Sequence, residues 1–376
     1  MEGQVAERMD RVAGLPADDD ASRMKTVVTG GAGFIGSALV RRLLAGEHSV
    51  VTVDKLTYAG HLASLGEALE HPRHRFERVD ICDARGVRRI LSDHAPDAIL
   101  HLAAESHVDR SIDGPADFLQ TNLTGTFTLL EESLAYWGRL DPSRQARFRF
   151  LHVSTDEVFG SLSPSEPEFT EASPYRPNSP YAATKAGADH LVRAWHRTHG
   201  LPVLVTYSSN NYGPRQFPEK LIPLTILRAI EGRPIGVYGS GTNRRDWLHV
   251  EDHVDGLLAA LERGRVGEAY AFASGVEREN LQLVQDLCSL LDELAPDRAA
   301  GPRKRLVRLV EDRPGHDHRY AIDARKAMRD LGWKPRIALA EGLRRTVEWY
   351  LENRDWLERV QGGVYGGERL GLGGRA

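Results

Sequence analysis

The segment Gly30-Gly31-Ala32-Gly33-Phe34-Ile35-Gly36 constrains the fold more than any other part of the chain. It follows the β-branched run Thr26-Val27-Val28-Thr29 directly and opens the helical pattern Ser37 to Leu44. Its glycines satisfy Gly-x-Gly-x-x-Gly at 31, 33 and 36, and Gly-x-x-Gly-x-x-Gly at 30, 33 and 36. Glycines at these spacings permit a tight strand-to-helix turn and let the backbone approach a pyrophosphate at the helix N-terminus. A glycine turn without a ligand has the same local pattern, so the elements that follow must decide.

Those elements alternate. Val50-Val51-Thr52-Val53 reads as a second strand, and 75–79, 98–102 and 148–153 fit the next three. Helical patterns fill 84–93, 117–137 and 181–199, and a strand follows at 203–207. This βαβ alternation predicts an α/β fold with a Rossmann-type doubly wound parallel sheet. Beyond about residue 210 the alternation stops, interrupted by Pro214, Pro218, Pro223 and Pro234. A smaller C-terminal α/β lobe is expected there, over the carboxyl ends of the strands where ligands bind. The division is therefore 24–210 for the nucleotide domain and 211–360 for a substrate lobe partly interleaved with it. Residues 1–23, polar and ending near Asp18-Asp19-Asp20, are expected to be a disordered extension, and 361–376 a flexible glycine-rich tail.

Composition removes several function classes. A formal net charge of −4 over 376 residues gives no reason to expect nucleic acid or an anionic membrane as partner. The run Arg303-Lys304-Arg305 with Arg308 lacks an aromatic platform and is expected to be a solvated face. No apolar run reaches the roughly 20 residues of a membrane span, and the N-terminus lacks an apolar signal core. Cys82 and Cys288 have neither disulfide-framework nor metal spacing, which suits free thiols in a reducing cytoplasm. No metal is expected, since the spacing of His101 and His107 matches no common zinc site.

Asp54 ends the second strand, where a carboxylate can bond the adenosine ribose hydroxyls and repel a 2′-phosphate. NAD is therefore expected rather than NADP, with Lys55 acting slightly against that preference. Asp80-Ile81, at the end of the third strand, is placed to flank an adenine. The small residues of Leu102-Ala103-Ala104-Glu105-Ser106 let a cofactor lie close to the backbone.

Chemistry is concentrated in Ser154-Thr155-Asp156-Glu157 and Tyr181-Ala182-Ala183-Thr184-Lys185. Tyr-x-x-x-Lys places a phenol and an ammonium one helical turn apart on one face. The ammonium favours the phenolate, so the phenol is expected to serve as a base well below its ordinary pKa. The adjacent carboxylates supply an acid and a base that alcohol oxidation does not need. Oxidation coupled to an elimination accounts for both.

These residues resemble the extended short-chain dehydrogenases, and among them the nucleotide-sugar 4,6-dehydratases that act on dTDP-glucose. The resemblance is carried by Asp54-Lys-Leu-Thr-Tyr-Ala-Gly60, Leu102-Ala-Ala-Glu-Ser-His-Val-Asp-Arg110 and His152-Val-Ser-Thr-Asp-Glu-Val-Phe-Gly160. It continues in Ser209-Asn-Asn-Tyr-Gly-Pro214, Phe217-Pro-Glu-Lys-Leu-Ile-Pro223, Arg245-Asp-Trp-Leu248 and Asp312-Arg-Pro-Gly-His-Asp317. Related GDP-mannose dehydratases differ in the glycine loop, and UDP-galactose epimerases lack the Asp-Glu pair.

The resemblance implies that Tyr181 takes the proton of the sugar 4-hydroxyl while Thr155 positions that oxygen. Glu157 would then remove the C5 proton, and Asp156 would protonate the departing 6-hydroxyl. It implies NAD held by Gly30, Gly33, Phe34, Ile35 and Gly36, by Asp54, Lys55, Leu56, Thr57 and Gly60, and by Asp80 and Ile81. Leu102, Ala103, Ala104, Ser106, Thr121, Tyr181, Lys185 and Asn211 complete that set. The nucleotide sugar is expected at Ser106, Thr155, Asn210, Lys220, Leu221, Val237, Tyr238, Arg245, Asn280, Arg313 and His316. A homodimer is implied as well, through a four-helix bundle of helices 117–137 and 181–199.

Two departures from the family pattern are expected to fall in the nucleotide-facing lobe: Ala271-Phe272-Ala273-Ser274 after Tyr270, and Gly236 before Val237-Tyr238-Gly239. They keep a UDP-glucose or dual-nucleotide dehydratase open as an alternative. A nucleotide-sugar epimerase would leave Asp156 and Glu157 idle, and a redox-silent NAD-binding protein would leave Tyr181 and Lys185 without a task.

Overall fold

The β-branched runs of the first half form parallel strands in the computed structural model, which describes residues 23–297, 299 and 301–362. The expectations for residues 1–22 and 363–376 lie outside the described residues. Strands β1 (Lys25–Thr29), β2 (Ser49–Val53), β3 (His74–Glu77), β4 (Ala98–His101), β5 (Arg149–Val153) and β6 (Val203–Ser208) stand where the sequence predicts them, within two residues at each end. Then come β7 (Asn210–Tyr212), β8 (Ile235–Tyr238), β9 (Arg244–His249), β10 (Ala269–Phe272), β11 (Glu277–Glu279) and β12 (Val307–Val310). One seven-stranded sheet runs β10-β6-β5-β4-β1-β2-β3, parallel throughout. Strand order reverses between β1 and β4, and a doubly wound sheet opens its ligand crevice at such a point.

Strand β10 is an addition that the alternation does not predict. The chain leaves the sheet after β6, builds much of the second lobe, and returns to add Ala269–Phe272 beside β6. Residues 271–273 are therefore buried in the main core, so the expectation that Ala271-Phe272-Ala273-Ser274 belongs to the nucleotide-facing lobe is corrected. Ser274 instead binds Asp246, its N–H and hydroxyl donating at 2.9 and 3.1 Å.

The single helix expected over 117–137 is three pieces: Pro115–Phe118, a π-helical turn Leu119–Gly125, and Thr126–Trp137. The wide turn carries Asn122 inward. Its amide donates to the Glu105 carbonyl and to Thr184 Oγ1, both at 3.0 Å, and its oxygen accepts the Glu105 N–H at 2.9 Å. One buried side chain thus ties the loop after β4 to the helix Pro180–His199.

Two apolar cores divide the protein. The first surrounds the large sheet and takes in residues 248–273 and 322–333. The second is built from Tyr212, Ile222, Ile226, Leu283, Leu287, Val347, Tyr350 and Trp356 among others. Arg303, expected on a solvated face, instead staples this lobe. Its guanidinium donates to Asp292 and to the carbonyls of Ala229, Leu291 and Ala295, all between 2.8 and 3.2 Å.

Candidate active site

The glycine turn opens straight into the crevice. Gly33 caps the helix Phe34–Ala45 without a side chain, so the first backbone N–H groups receive no capping bond from it. Gly30 has φ +68°, and a Cβ there would lie 2.7 Å from the Ala103 nitrogen. A Cβ on Gly36 would lie 2.2 Å from the Gly30 carbonyl oxygen. Only glycine keeps the turn tight and its donors open.

Asp54 stands at the end of β2 with both oxygens engaged, accepting from Ala32 N–H at 3.0 Å and Leu56 N–H at 2.8 Å. Burial pushes its pKa up, and those two bonds oppose the shift. Lys55 donates to Thr121 Oγ1 at 3.0 Å and pairs with Asp80 at 3.5 Å. The cation that a 2′-phosphate would need is thus already matched by a carboxylate.

At the end of β5, Thr155 caps a short 3₁₀ helix, Asp156–Phe159. Its hydroxyl accepts the Glu157 N–H at 3.3 Å and donates to Asp156 at 3.4 Å. Asp156 is buried, and its Oδ2 has no partner. Burial drives the Asp156 carboxyl far above its usual range, and the charge of Glu157 adds to it. Burial raises Glu157 too, but Arg313, Lys220 and Arg245 pull it back. The two neighbouring carboxyls therefore differ: one favours its proton, and the other faces three cations.

Ser179 caps the helix Pro180–His199, accepting from Ala182 N–H at 3.1 Å, with Pro180 in the first turn. Tyr181 and Lys185 are both buried on it. Lys185 donates to the Val153 carbonyl at 2.8 Å. The expected lowering of the Tyr181 pKa is not what the protein alone produces: burial raises it, and the Glu157 charge adds to that. Lys185 is itself lowered to about 8 by burial. Taking both groups out of water outweighs the attraction that helical spacing suggested.

The second lobe contributes cations and amides. Arg245 is held by the carbonyls of Arg244, Asp317 and His318 and lies 4.2 Å over the Tyr320 ring. Lys220 donates to the Ser106 carbonyl at 2.8 Å. Asn211 accepts at its side-chain oxygen from His253 at 2.8 Å, if that ring carries its proton on Nδ1, and Asn210 and Asn280 each present a buried, unpartnered carbonyl oxygen. Burial lowers His316 to about 4, so it is neutral beside Tyr238.

These groups, apart from the supporting Ser179, His253 and Tyr320, line one cavity of about 620 Å³. Every residue expected at the cofactor or the nucleotide sugar is on its wall except Leu56. Leu56 has φ +60° and serves through its N–H, which fixes Asp54. Gly236 lines the cavity as well.

Three acidic lining residues are not marked by the sequence pattern. Asp109 accepts from Arg313 at 3.0 Å and Tyr238 at 2.6 Å, clasping the two lobes. Glu219 accepts from Tyr58 at 3.3 Å, and burial raises it to about 7. Glu105 lies between Lys55 and Arg110 in charge, and burial raises it too. All three sit inside family-matching strings, but neither spacing nor residue type points to a role.

The family model described as GDP-mannose 4,6 dehydratase matches residues 27–346. The dTDP-glucose 4,6-dehydratase of Neisseria meningitidis serogroup B is 54% identical over 352 residues, covering 93% of this chain and 99% of the relative. Among solved structures, DesIV, a dTDP-glucose 4,6-dehydratase from Streptomyces venezuelae with NAD and TYD bound, aligns with TM-score 0.81. It shares 47% identity over 90% of this chain and 100% of its own. The Bacillus anthracis dTDP-glucose 4,6-dehydratase in complex with NAD aligns with TM-score 0.79 and 38% identity, over 90% of this chain and 100% of its own. On this agreement of sequence, fold and site, the chain belongs to the dTDP-glucose 4,6-dehydratase family.

Proposed function

We propose that the protein converts dTDP-glucose to dTDP-4-keto-6-deoxyglucose with NAD. The observation that carries this reading is the unequal carboxyl pair beside the Tyr181 helix, which supplies elimination chemistry within reach of oxidation chemistry. The crevice suits NAD: a glycine cradle that side chains would fill, a carboxylate at Asp54, and Lys55 matched by Asp80. Gly30, Gly33 and Gly36 would receive its pyrophosphate, Asp54 its ribose, and Tyr181, Lys185 and Asn211 its nicotinamide end. NAD when bound supplies the acceptor for the C4 hydride and returns that hydride to C6.

The protein's own residues move the protons. Tyr181 takes the 4-hydroxyl proton, with Thr155 aligning the oxygen. The 4-ketone acidifies C5–H, and Glu157, raised by burial but drawn back toward ionisation by Arg313, Lys220 and Arg245, removes that proton. Asp156, held protonated by burial, gives its proton to the 6-hydroxyl, which leaves as water, and C5 regains a proton once C6 has been reduced. Arg245 and Arg313 are the guanidinium groups suited to the diphosphate.

Incubation of purified protein, supplemented with NAD, with dTDP-glucose and with UDP-glucose separately tests the reading by mass spectrometry. Loss of one water from dTDP-glucose, with UDP-glucose unchanged, is expected. Loss from UDP-glucose alone would overturn the base assignment and point to the wall around Gly236. Unchanged mass with altered stereochemistry by NMR would mean epimerisation and overturn the dehydratase reading.

We also propose a homodimer, with the segments 115–137 and 180–199 of two copies forming a four-helix bundle. Leu119 and Phe127 support this, being 51% and 44% exposed, with Trp195 packed edge-on to Phe127. Light scattering after size exclusion is expected to give twice the chain mass; a monomer at micromolar concentration would refute it. Among the described residues no helix is long and apolar enough to cross a membrane; a cytoplasmic setting is proposed on the reading of Cys82 and Cys288 as free thiols.

A further inference from the structure

Beneath the cavity lies a buried polar cluster that the proposed mechanism does not use. Asp189 is one helical turn beyond Lys185 on the helix Pro180–His199 and is fully buried. Its Oδ2 accepts from Ser154 Oγ at 2.8 Å and Tyr175 OH at 3.1 Å, and its Oδ1 meets His152 Nε2 at 3.0 Å. Tyr175 bonds to Tyr207, which receives the Arg193 guanidinium at 2.8 Å. Ser154 adjoins Thr155, and Val153, whose carbonyl receives Lys185, precedes it. The lysine and the aspartate thus grip consecutive residues at the end of β5.

An ammonium with so little access to water needs a charge of opposite sign nearby. His101 and His152 both lie in the field of Lys185 and are driven far toward their neutral forms, so neither serves. Tyr181, on its own helix, is pushed away from ionisation. Arg193 carries the same sign as the lysine. Among the described residues, the charge that supports the protonated Lys185 is that of Asp189.

We propose that Asp189 is the counter-charge that keeps Lys185 protonated under Tyr181, a positioning residue acting through the lysine and not on the substrate. The bonds from Ser154 and Tyr175, with Arg193 beyond, hold Asp189 toward its ionised form against burial, which raises it to about 6. Lys185, without that neighbour, would lose its proton at a lower pH than about 8. The inference rests on the reading of Tyr181 and Lys185 as the oxidising pair, and turnover of dTDP-glucose by the unaltered protein checks that reading separately.

The test pairs an activity profile with a measurement on the protein alone. In Asp189→Asn the alkaline limb of kcat is expected to move down by roughly one pH unit or more, the size typical of a lost opposite charge. Activity at pH 8 should then fall about fivefold or more, with part of it recovered at lower pH. Thermal midpoints of the wild type, Asp189→Asn, Lys185→Met and the double variant close a cycle. Between about pH 6 and 8, where the carboxylate and the ammonium are both charged, Asp189→Asn should lower the midpoint clearly more in the wild-type background than in the Lys185→Met background. Between about 8 and 10.5 the folded protein binds fewer protons at Lys185 than the unfolded chain, so stability rises with pH there. That rise should begin at lower pH in Asp189→Asn. Additive costs in the cycle, an unmoved alkaline limb, or an equal loss of kcat at every pH would each overturn the proposal. Asp189→Ser serves for both readouts if the asparagine variant does not fold.

Discussion

Replacing Tyr181 by phenylalanine is expected to abolish formation of the keto sugar while leaving the fold intact. The ring is buried beside Phe118 at 6.4 Å, and phenylalanine keeps that edge contact. What is lost is the group placed to take the 4-hydroxyl proton as C4 is oxidised. General-base catalysis contributes roughly a hundredfold to ten-thousandfold, so kcat should fall by at least that range. Burial and the nearby Glu157 charge oppose ionisation of Tyr181, so the protein alone does not prepare a phenolate. Among the described residues, only the Thr155 hydroxyl, by its hydrogen bond, works in the other direction. Turnover within about tenfold of wild type, measured as keto product by mass spectrometry, would show that another group takes the proton.

Neutralising the carboxyl pair should produce a different failure. In the proposed mechanism Glu157→Gln removes the base at C5 and Asp156→Asn removes the acid at the 6-hydroxyl, while both leave Tyr181 in place for the oxidation of C4. Each variant is expected to lose water elimination by about a hundredfold or more. Each should accumulate a 4-keto-glucose nucleotide, lighter than substrate by a hydrogen molecule and not by water. The charges around the two carboxyls support the proposed roles. Asp156 is held protonated by burial and by its neighbour's charge, whereas three cations draw Glu157 back toward ionisation. At alkaline pH the acid is lost as Asp156 ionises, and at acid pH the base is lost as Glu157 gains its proton. Elimination should therefore fail at both extremes. Full dehydration by either variant would mean that the roles are wrongly placed.

The first half of the fold is readable because its elements announce themselves locally. A β-branched run, a glycine turn and an amphipathic stretch are each short-range patterns, and the strands β1 to β6 follow them. The π-helical turn at Leu119–Gly125 is not readable, because it brings Asn122 to partners 17 and 62 residues away. Strand β10 is hidden for a related reason: its pairing with β6 is made after a long excursion through the second lobe. Arg303 looks like part of a charged surface run, and only the packed lobe shows the carbonyl and carboxylate partners around it.

The candidate site divides along the same line. Sequence by itself determined which chemical groups the protein carries and their order: the glycine turn, Asp54, Thr155-Asp156-Glu157, and Tyr181 with Lys185. These depend on residue type and spacing within single elements, which the chain specifies directly. Only the tertiary structure decided how those groups are charged. Burial raises Asp156 and lowers Lys185, and Arg313 and Arg245 reach Glu157 from the other lobe. Asp109 clasps Arg313 and Tyr238, and Asp189 sits beneath the lysine. Protonation is set by access to water and by charges distant in the chain, and both exist only once the two lobes are packed together.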